Sequence, residues 1–210
     1  MLATCPLERL STDDVAAAAG ISRSLLFHYF PTKRDFLVAL VQAASRGLLD
    51  ATSTDPALPP ERRLRQGLEA YVSFVSENSE VFIALVRGAA GSDEALREEA
   101  DRTRAEFAAR VLEGLDQDPT ASAAVALAAT GWVALSEQAV VTWLGQRSSP
   151  ATDVLDARQL VDFLQASLVG VMASVLQVEP LELIDLVRNQ AAPTFSDTTL
   201  DDPPGCIVTP

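Results

Sequence analysis

The sequence predicts an all-helical protein in which a short N-terminal helix-turn-helix module is followed by a larger C-terminal helical bundle. Apolar residues make up 48% of the 210 residues, which is enough for a sizeable buried core. Glycine and proline fall mainly between the apolar stretches, and this distribution favours long helices over many short strands. Within the stretches, apolar residues recur at intervals of three and four, as on one face of a helix.

The module occupies residues 1–50 and is predicted to contain three helices. Each helix begins after a hydroxyl residue that can accept hydrogen bonds from its first amides, and these residues are Ser11, Ser22 and Thr32. Gly20 ends the first helix and Pro31 stops the second, because glycine permits a left-handed turn and proline cannot continue a helix. The third helix is expected to run to about Asp50.

Residues 51–190 are predicted to form the bundle, and a polar, proline-containing linker at Thr52–Pro60 marks the boundary. Its helices are expected near Glu61–Ser76, Ser79–Gly88, Asp93–Leu115, Thr120–Gly145 and Asp156–Val178, with a weaker amphipathic helix at Leu181–Gln190. Residues 191–210 contain four prolines and three aspartates with little periodicity, so a disordered tail is expected there.

The formal net charge of −13 does not exclude DNA as a partner, because the acidic residues are unevenly placed. Residues 1–50 contain five basic and five acidic residues, so residues 51–210 account for the whole net charge. Between Ile21 and Arg34 there are three basic residues and no acidic one. The only lysine and the only histidine, Lys33 and His28, both lie in that segment.

The cysteine content and the hydropathy pattern indicate a soluble cytoplasmic protein. Cys5 and Cys206 lie near opposite ends, which does not suggest a disulfide framework, and no signal peptide is visible. The longest uncharged stretches, around Ala121–Ser136 and Phe163–Val178, are shorter than the roughly 18 apolar residues that a membrane span needs. No membrane association is therefore expected.

Enzymatic chemistry finds little support in the sequence. A single histidine excludes a multi-histidine metal site and leaves few routes to a nucleophile–base pair. Neither a G-x-S-x-G turn nor a phosphate-binding glycine loop occurs. We therefore predict that the protein is not an enzyme and that it needs no cofactor and no metal.

The segment Ser11–Lys33 has the spacing of a helix-turn-helix, with Ala16, Gly20 and Leu26 in the pattern A-x3-G-x5-L. A small residue is needed where the two helices cross, glycine suits the turn between them, and leucine packs the second helix on the first. Polar residues at the start of the second helix lie beside amides that can meet phosphate.

In this segment the sequence resembles the DNA-binding signature of the TetR family of transcriptional regulators. The matching runs are Gly20-Ile21-Ser22, Leu26-Phe27-His28-Tyr29-Phe30 and Pro31-Thr32-Lys33. The resemblance covers about the first fifty residues, and the remainder agrees in the number and order of helices. It implies a homodimer that binds a pseudo-palindromic operator in double-stranded DNA, represses transcription and is released by a small-molecule effector.

The resemblance also implies which residues meet DNA. Base edges would face Arg23, Ser24, Leu25 and His28, phosphates would be held by Tyr29 and Lys33, and Ser22 and Phe27 complete the predicted set. Leu25 and Phe27 stand where the family often has threonine and tyrosine, so one hydrogen bond and one phosphate contact are lost.

The N-terminus departs from the family pattern, because only ten residues precede Ser11 where the family has a full apolar helix. Either the true start lies upstream or the protein is a shortened form. A shortened form leaves a second hypothesis open, namely a helical dimer that binds a ligand or a partner protein and has lost DNA binding.

The effector is expected inside the bundle, where the resemblance places it. The predicted apolar wall consists of Phe74, Phe82, Leu85, Phe107, Trp132 and Met172. Because no polar constellation is recognisable in the sequence, the effector is expected to be mainly hydrophobic.

Two long helices are predicted to pair with a second copy of the chain, as the last two long helices do in the family. The residues that recur at helical spacing on them are Val125, Ala129, Trp132, Ala139 and Trp143, then Leu160, Leu164 and Val171. The alternative is that both stripes complete the core of a single chain.

Overall fold

The computed structural model describes residues 11–79, 81–83, 86, 93–115, 122–147 and 154–189. Within these ranges the chain forms helices with short connections and no strand, so the predicted all-helical fold is confirmed. The helices are α1 (Thr12–Ala18), α2 (Arg23–Tyr29), α3 (Lys33–Ala51), α4 (Pro60–Glu77), α5 (Glu94–Gly114), α6 (Ala123–Arg147), α7 (Ala157–Leu176) and α8 (Pro180–Asn189).

Some of the predictions concern residues outside these described ranges. The tail predicted at residues 191–210 and the segment before Ser11 both lie outside the described residues. Of the helix predicted at Ser79–Gly88, residues 79, 81–83 and 86 are described, and all of them are helical.

The three predicted capping residues act as caps in the structure. The Ser11 and Ser22 hydroxyls each accept a hydrogen bond from an amide in the first turn of α1 and α2. The Thr32 hydroxyl accepts a hydrogen bond from the Asp35 amide at 3.1 Å, and the Asp35 carboxylate accepts one from the Thr32 amide at 3.0 Å. Each cap stabilises its helix by about 1 kcal/mol. The starts of α1, α2 and α3 are therefore fixed by local sequence.

Helix α5 holds α3 near both of its ends. At the N-terminal end, Arg34 donates two hydrogen bonds to Asp93, the residue that caps α5, at 2.7 and 3.2 Å. At the C-terminal end, Arg110 of α5 donates to the Leu49 carbonyl oxygen at 2.8 Å. Because α3 follows α2 closely in the chain, these contacts determine where the N-terminal module lies relative to the bundle.

Helices α4, α5, α6 and α7 pack around one hydrophobic core, in which both tryptophans are buried. The Trp132 indole nitrogen donates to the Leu164 carbonyl oxygen at 3.1 Å and to the Ser167 hydroxyl at 3.0 Å. The Trp143 indole nitrogen donates to the Leu155 carbonyl oxygen at 2.7 Å. Each indole therefore combines apolar burial with a satisfied N–H group.

The structure corrects the interface that the sequence predicted on α6 and α7. Six of the eight residues are at most 5% exposed within a single chain, namely Val125, Ala129, Trp132, Trp143, Leu160 and Leu164. The other two, Ala139 and Val171, are partly buried against the same core. The six enclosed side chains are not accessible to a second copy, whereas Ala139 and Val171 keep part of their surface exposed. The stripes mark the faces of α6 and α7 that point into their own core.

The outer faces of α6 and α7 are also rich in small and apolar residues. They expose Leu127, Gly131, Ala134 and Leu135 on α6, and Phe163 and Ser174 on α7. Leu127 is 74% exposed and Phe163 is 47% exposed. Large apolar side chains exposed on two neighbouring helices are typical of a surface that binds another protein.

The sequence analysis expected no apolar stretch long enough to cross a membrane, and the lengths of α6 and α7 correct that expectation. At 25 and 20 residues, α6 and α7 are long and apolar enough to cross a membrane. Their inner faces instead pack in the protein core, where the Trp132 indole on α6 donates to the Leu164 carbonyl oxygen on α7. The length and composition of these helices are those of core helices with an additional apolar face.

Candidate functional site

The N-terminal module has the geometry that its spacing predicts. Ala16 of α1 and Leu26 of α2 are 3% and 4% exposed, so the small residue and the leucine pack in the contact between the two helices. Gly20 in the turn has a φ of +66°, a left-handed conformation that costs other residues about 1–2 kcal/mol. The helix-turn-helix is therefore built by the three residues that the pattern singled out.

The outer side of α2 is a continuous exposed surface. Ser24, Leu25, His28 and Tyr29 are all exposed, and Tyr29 is the most open of the four at 69%. The rings of His28 and Tyr29 meet edge to face, with 5.5 Å between their centroids. The surface thus combines a methyl-bearing side chain with hydrogen-bonding groups, which is the chemistry that base edges and phosphates require.

Arg23 starts α2, and its guanidinium already has an anionic partner. It forms an ion pair with Asp13 of α1 at 3.0 Å, and both side chains are 61% exposed. The guanidinium also lies over the Phe27 ring, 5.5 Å from its centroid. Sequence reasoning missed the pairing with Asp13, although an aspartate at the start of α1 and an arginine at the start of α2 were both visible.

The remaining predicted DNA-binding residues have structural contacts as well. The Ser22 hydroxyl accepts a hydrogen bond from the Leu25 amide at 3.1 Å. Phe27 is partly buried, and Lys33 is partly buried in the first turn of α3. Six of the eight predicted residues are exposed, with Phe27 and Lys33 at the border of the exposed surface.

A cavity of about 900 Å³ lies in the bundle and is bordered by α4, α5, α6, α7 and α8. Four of the six residues predicted for the effector wall line it, namely Phe82, Phe107, Trp132 and Met172. Phe74 instead faces a smaller cavity, and Leu85 lies outside the described residues. The volume is within the range of small-molecule sites.

The large cavity also contains polar groups, contrary to the expectation from the sequence. Arg104 of α5 and Glu137 of α6 form an ion pair at 2.9 Å in its wall. Partial burial lowers the pKa of Arg104, but the hydrogen bonds and charges of Glu137 and Asp101 together outweigh this effect, so the pKa is raised overall. These two residues are 33 positions apart in sequence and belong to different helices, so no local pattern pointed to their pairing.

Two further polar residues of the cavity wall lie on α4. The Nε atom of Arg63 is buried and has no hydrogen-bond partner among the described residues. The Tyr71 ring makes edge-to-face contacts with Phe82 and Phe107, at centroid distances of 6.1 and 6.3 Å. Burial, with a smaller contribution from the charge of Glu137, raises the pKa of Tyr71 far above its usual range. Tyr71 therefore presents a neutral hydroxyl.

A smaller cavity of about 280 Å³ lies beneath α3. It shares five wall residues with the large cavity, and these are Leu48, Phe82, Thr103, Arg104 and Glu137. The shared residues separate the space inside the bundle from the space under α3. A molecule in the large cavity would touch side chains that also border the space under α3.

Two family models match the sequence. One is described as bacterial regulatory proteins, tetR family, and it matches residues 2–40. The other is described as tetracyclin repressor-like, C-terminal domain, and it matches residues 60–168. The two matches include the helix-turn-helix and most of the cavity-forming bundle.

The chain is also similar to individual proteins. It is 36% identical over 75 residues to the HTH-type transcriptional regulator EthR of Mycolicibacterium smegmatis, and the match spans 34% of each chain. A tetR-family regulator structure from Streptomyces coelicolor is 31% identical, with 87% of this chain and 79% of that chain covered at a TM-score of 0.72. A TetR-like regulator structure from Rhodococcus sp. RHA1 is 21% identical, with coverages of 77% and 84% at a TM-score of 0.62, and supports the fold alone.

Proposed function

Because the chain belongs to the TetR family of transcriptional regulators, we propose that it binds an operator through α2 and is released when a small molecule occupies the large cavity. Proteins of this family are regulators and not enzymes, and they are soluble and bind DNA. The observation that carries the proposal is the exposed face of α2, which packs on α1 through its opposite side. The next helix, α3, is hydrogen-bonded to α5, and α5 forms part of the cavity wall.

In the proposed complex, α2 enters the major groove of the operator. Its exposed face supplies the base contacts, from Arg23, Ser24, Leu25 and His28, and the phosphate contacts, from Tyr29 and Lys33, while Ser22 and Phe27 support them. A thymine methyl suits Leu25, and a guanine edge or a phosphate suits Arg23. To reach either target, the Arg23 guanidinium exchanges the Asp13 carboxylate for an acceptor on DNA.

A second copy of the chain is the proposed partner of the outer faces of α6 and α7. Leu127 and Phe163 are exposed there, and the small residues between them allow two helix pairs to approach closely. A two-fold dimer presents two α2 helices, which matches a pseudo-palindromic operator with two half-sites. The proposed location is the cytoplasm, where such an operator is accessible.

Repression and release follow from a shift between two dimer geometries. Phe107 and Arg110 of α5 both line the large cavity, and Arg110 also bonds the Leu49 carbonyl oxygen at the end of α3. An effector that displaces these side chains moves α3 and therefore changes the separation of the two α2 helices. The dimer then fits the operator less well.

The proposed function is tested by selecting duplexes from a random pool with the full-length chain at low ionic strength. We expect enrichment of one pseudo-palindromic sequence, and we expect Arg23→Ala to relax the preference at one position in each half-site by roughly 1–3 kcal/mol. Recovery of no preferred duplex would contradict operator binding. It would favour a helical dimer that binds a ligand or a partner protein.

A further inference from the structure

The large cavity is lined by an arginine that forms no ion pair with the described part of the chain. Arg63 lines the cavity from α4, and its buried Nε–H has no acceptor in the part of the chain that the structure describes. The other two arginines of the wall are paired, Arg104 with Glu137 and Arg110 with Glu106. An unsatisfied guanidinium donor is costly, and a ligand that supplies an acceptor removes that cost.

Four acidic residues line the wall, namely Glu61, Glu113, Glu137 and Asp162, and none of them forms an ion pair with Arg63 within the described residues. Glu137 is bound by Arg104 at 2.9 Å, and Asp162 is bound by Arg65 at 2.8 Å. Glu113 is exposed at the edge of the cavity. The charges of Glu137 and Asp162 are thus neutralised by other arginines.

The cavity wall that continues from Arg63 along α4 is mainly apolar. Arg63 and Tyr71 are eight residues apart on α4, which corresponds to roughly 12 Å along the helix axis. Leu64 and Leu68 line the cavity between them, and Trp132 and Met172 line its inner part. The Tyr71 hydroxyl has no hydrogen bond to the other described residues, so a second polar position exists within this apolar region.

We infer that the effector is an elongated amphipathic carboxylate, whose acid group binds Arg63 and whose apolar body lies along α4 past Tyr71. A guanidinium offers a planar pair of donors that matches a carboxylate, and such charge-assisted bonds are the strongest that a side chain makes. The inference rests on the proposed function to the extent that this cavity is the effector site. It adds an anionic head group to the mainly hydrophobic effector that the sequence predicts.

The test compares three ligands that differ only in their head group. The full-length chain is loaded at pH 7 with the neutral fluorescent probe N-phenyl-1-naphthylamine, which is then displaced with decanoate, decanol or decylamine. We expect decanoate to displace the probe at least about tenfold more effectively than decanol, and decylamine to be the weakest. Equal displacement by decanoate and decanol would overturn the inference, as would failure of the probe and of all three ligands to bind.

A pair of neighbouring variants identifies the residue responsible. Arg63→Gln should bring decanoate to the affinity of decanol while the probe still binds, which shows that the cavity is intact. Arg62→Gln is the matched control, because Arg62 is exposed on the same helix and does not line the cavity, and it should keep the preference for decanoate. A preference that persists in Arg63→Gln would contradict the assignment.

The two proposals fail in different ways. Operator release is measured separately, by titrating the selected duplex complex with decanoate. Binding of decanoate through Arg63 without release of the operator would contradict the proposed function and support the inference. Release of the operator by decanol and decanoate alike would support the proposed function and contradict the inference.

Discussion

At the scale of single residues, the ion pair between Arg23 and Asp13 occupies the guanidinium to which we assign a DNA contact. Both side chains are largely exposed, so the pair contributes little to folding. Its effect is on binding, because Asp13 places a negative charge beside the surface that phosphates approach. In the proposed complex, the Asp13 carboxylate therefore competes with DNA for the Arg23 guanidinium.

Replacing that competitor should strengthen DNA binding. We expect Asp13→Asn to raise the affinity for the operator and for random duplex alike by a few-fold at low salt, with a smaller gain as salt is added. Asp50→Asn, which removes the same charge from the far end of α3, should have little effect. Fluorescence anisotropy over a salt series measures both, and an unchanged affinity in Asp13→Asn would show that the pair does not compete with DNA.

Lys33 is a second residue whose substitution should have a defined effect on DNA binding. It lies in the first turn of α3, where a positive charge opposes the helix dipole, and a phosphate contact would explain its presence. We expect Lys33→Ala to weaken binding equally for all sequences and to lower the slope of log affinity against log salt by about one unit. Lys33→Arg should keep the slope. An unchanged slope in Lys33→Ala would remove this residue from the phosphate contacts.

At the scale of elements, the attachment of α3 to α5 depends on ionisation. The hydrogen bond from Arg34 is the largest of the influences that hold the pKa of Asp93 below its ordinary value, and the Leu96 amide adds to it. Since the folded state lowers this pKa, the pair stabilises the protein above the ordinary carboxyl pKa of about 4. That stability is lost as the pH falls through the lowered pKa.

The direction in which stability changes with pH can be tested by substituting Arg34, the partner of Asp93. Arg34→Gln should be less stable than the parent chain at neutral pH, and the difference between them should shrink as the solution is acidified. Arg46→Gln, which alters an exposed arginine on the same helix, should keep the parent's pH profile. Urea unfolding at a series of pH values measures the effect, and a difference that grows in acid would contradict the role of the pair.

What the sequence could predict at this scale depended on how local each signal is. The capping residues Ser11, Ser22 and Thr32 were identified correctly, because a cap involves residues two or three positions apart. Six of the eight residues predicted for the interface lie in the core of the single chain, because helices that are apolar on both sides show the same period toward the core and toward the surface. The pair of Arg104 and Glu137 joins two helices, and only the fold brings it together.

At the scale of the whole molecule, the apolar outer faces of α6 and α7 determine the proposed assembly. We expect Leu135→Glu combined with Phe163→Glu to convert a dimer to a monomer, because two buried charges on each copy would lack partners. Leu181→Glu is the matched control, since Leu181 is 75% exposed on α8, outside the α6 and α7 faces. Sedimentation velocity reports the mass, and a dimer that survives the double substitution would place the interface elsewhere.

The smaller cavity beneath α3 has a mechanical consequence. Protein interiors are normally packed as densely as organic crystals, so unfilled volume lowers the stability of the fold. The same volume lets Phe82 and Arg104 change rotamer when pushed from the other side, without colliding with a fully packed layer. In the proposed release mechanism, side chains beneath α3 can move into this unfilled volume, so a shift of α3 does not require a fully packed layer to rearrange.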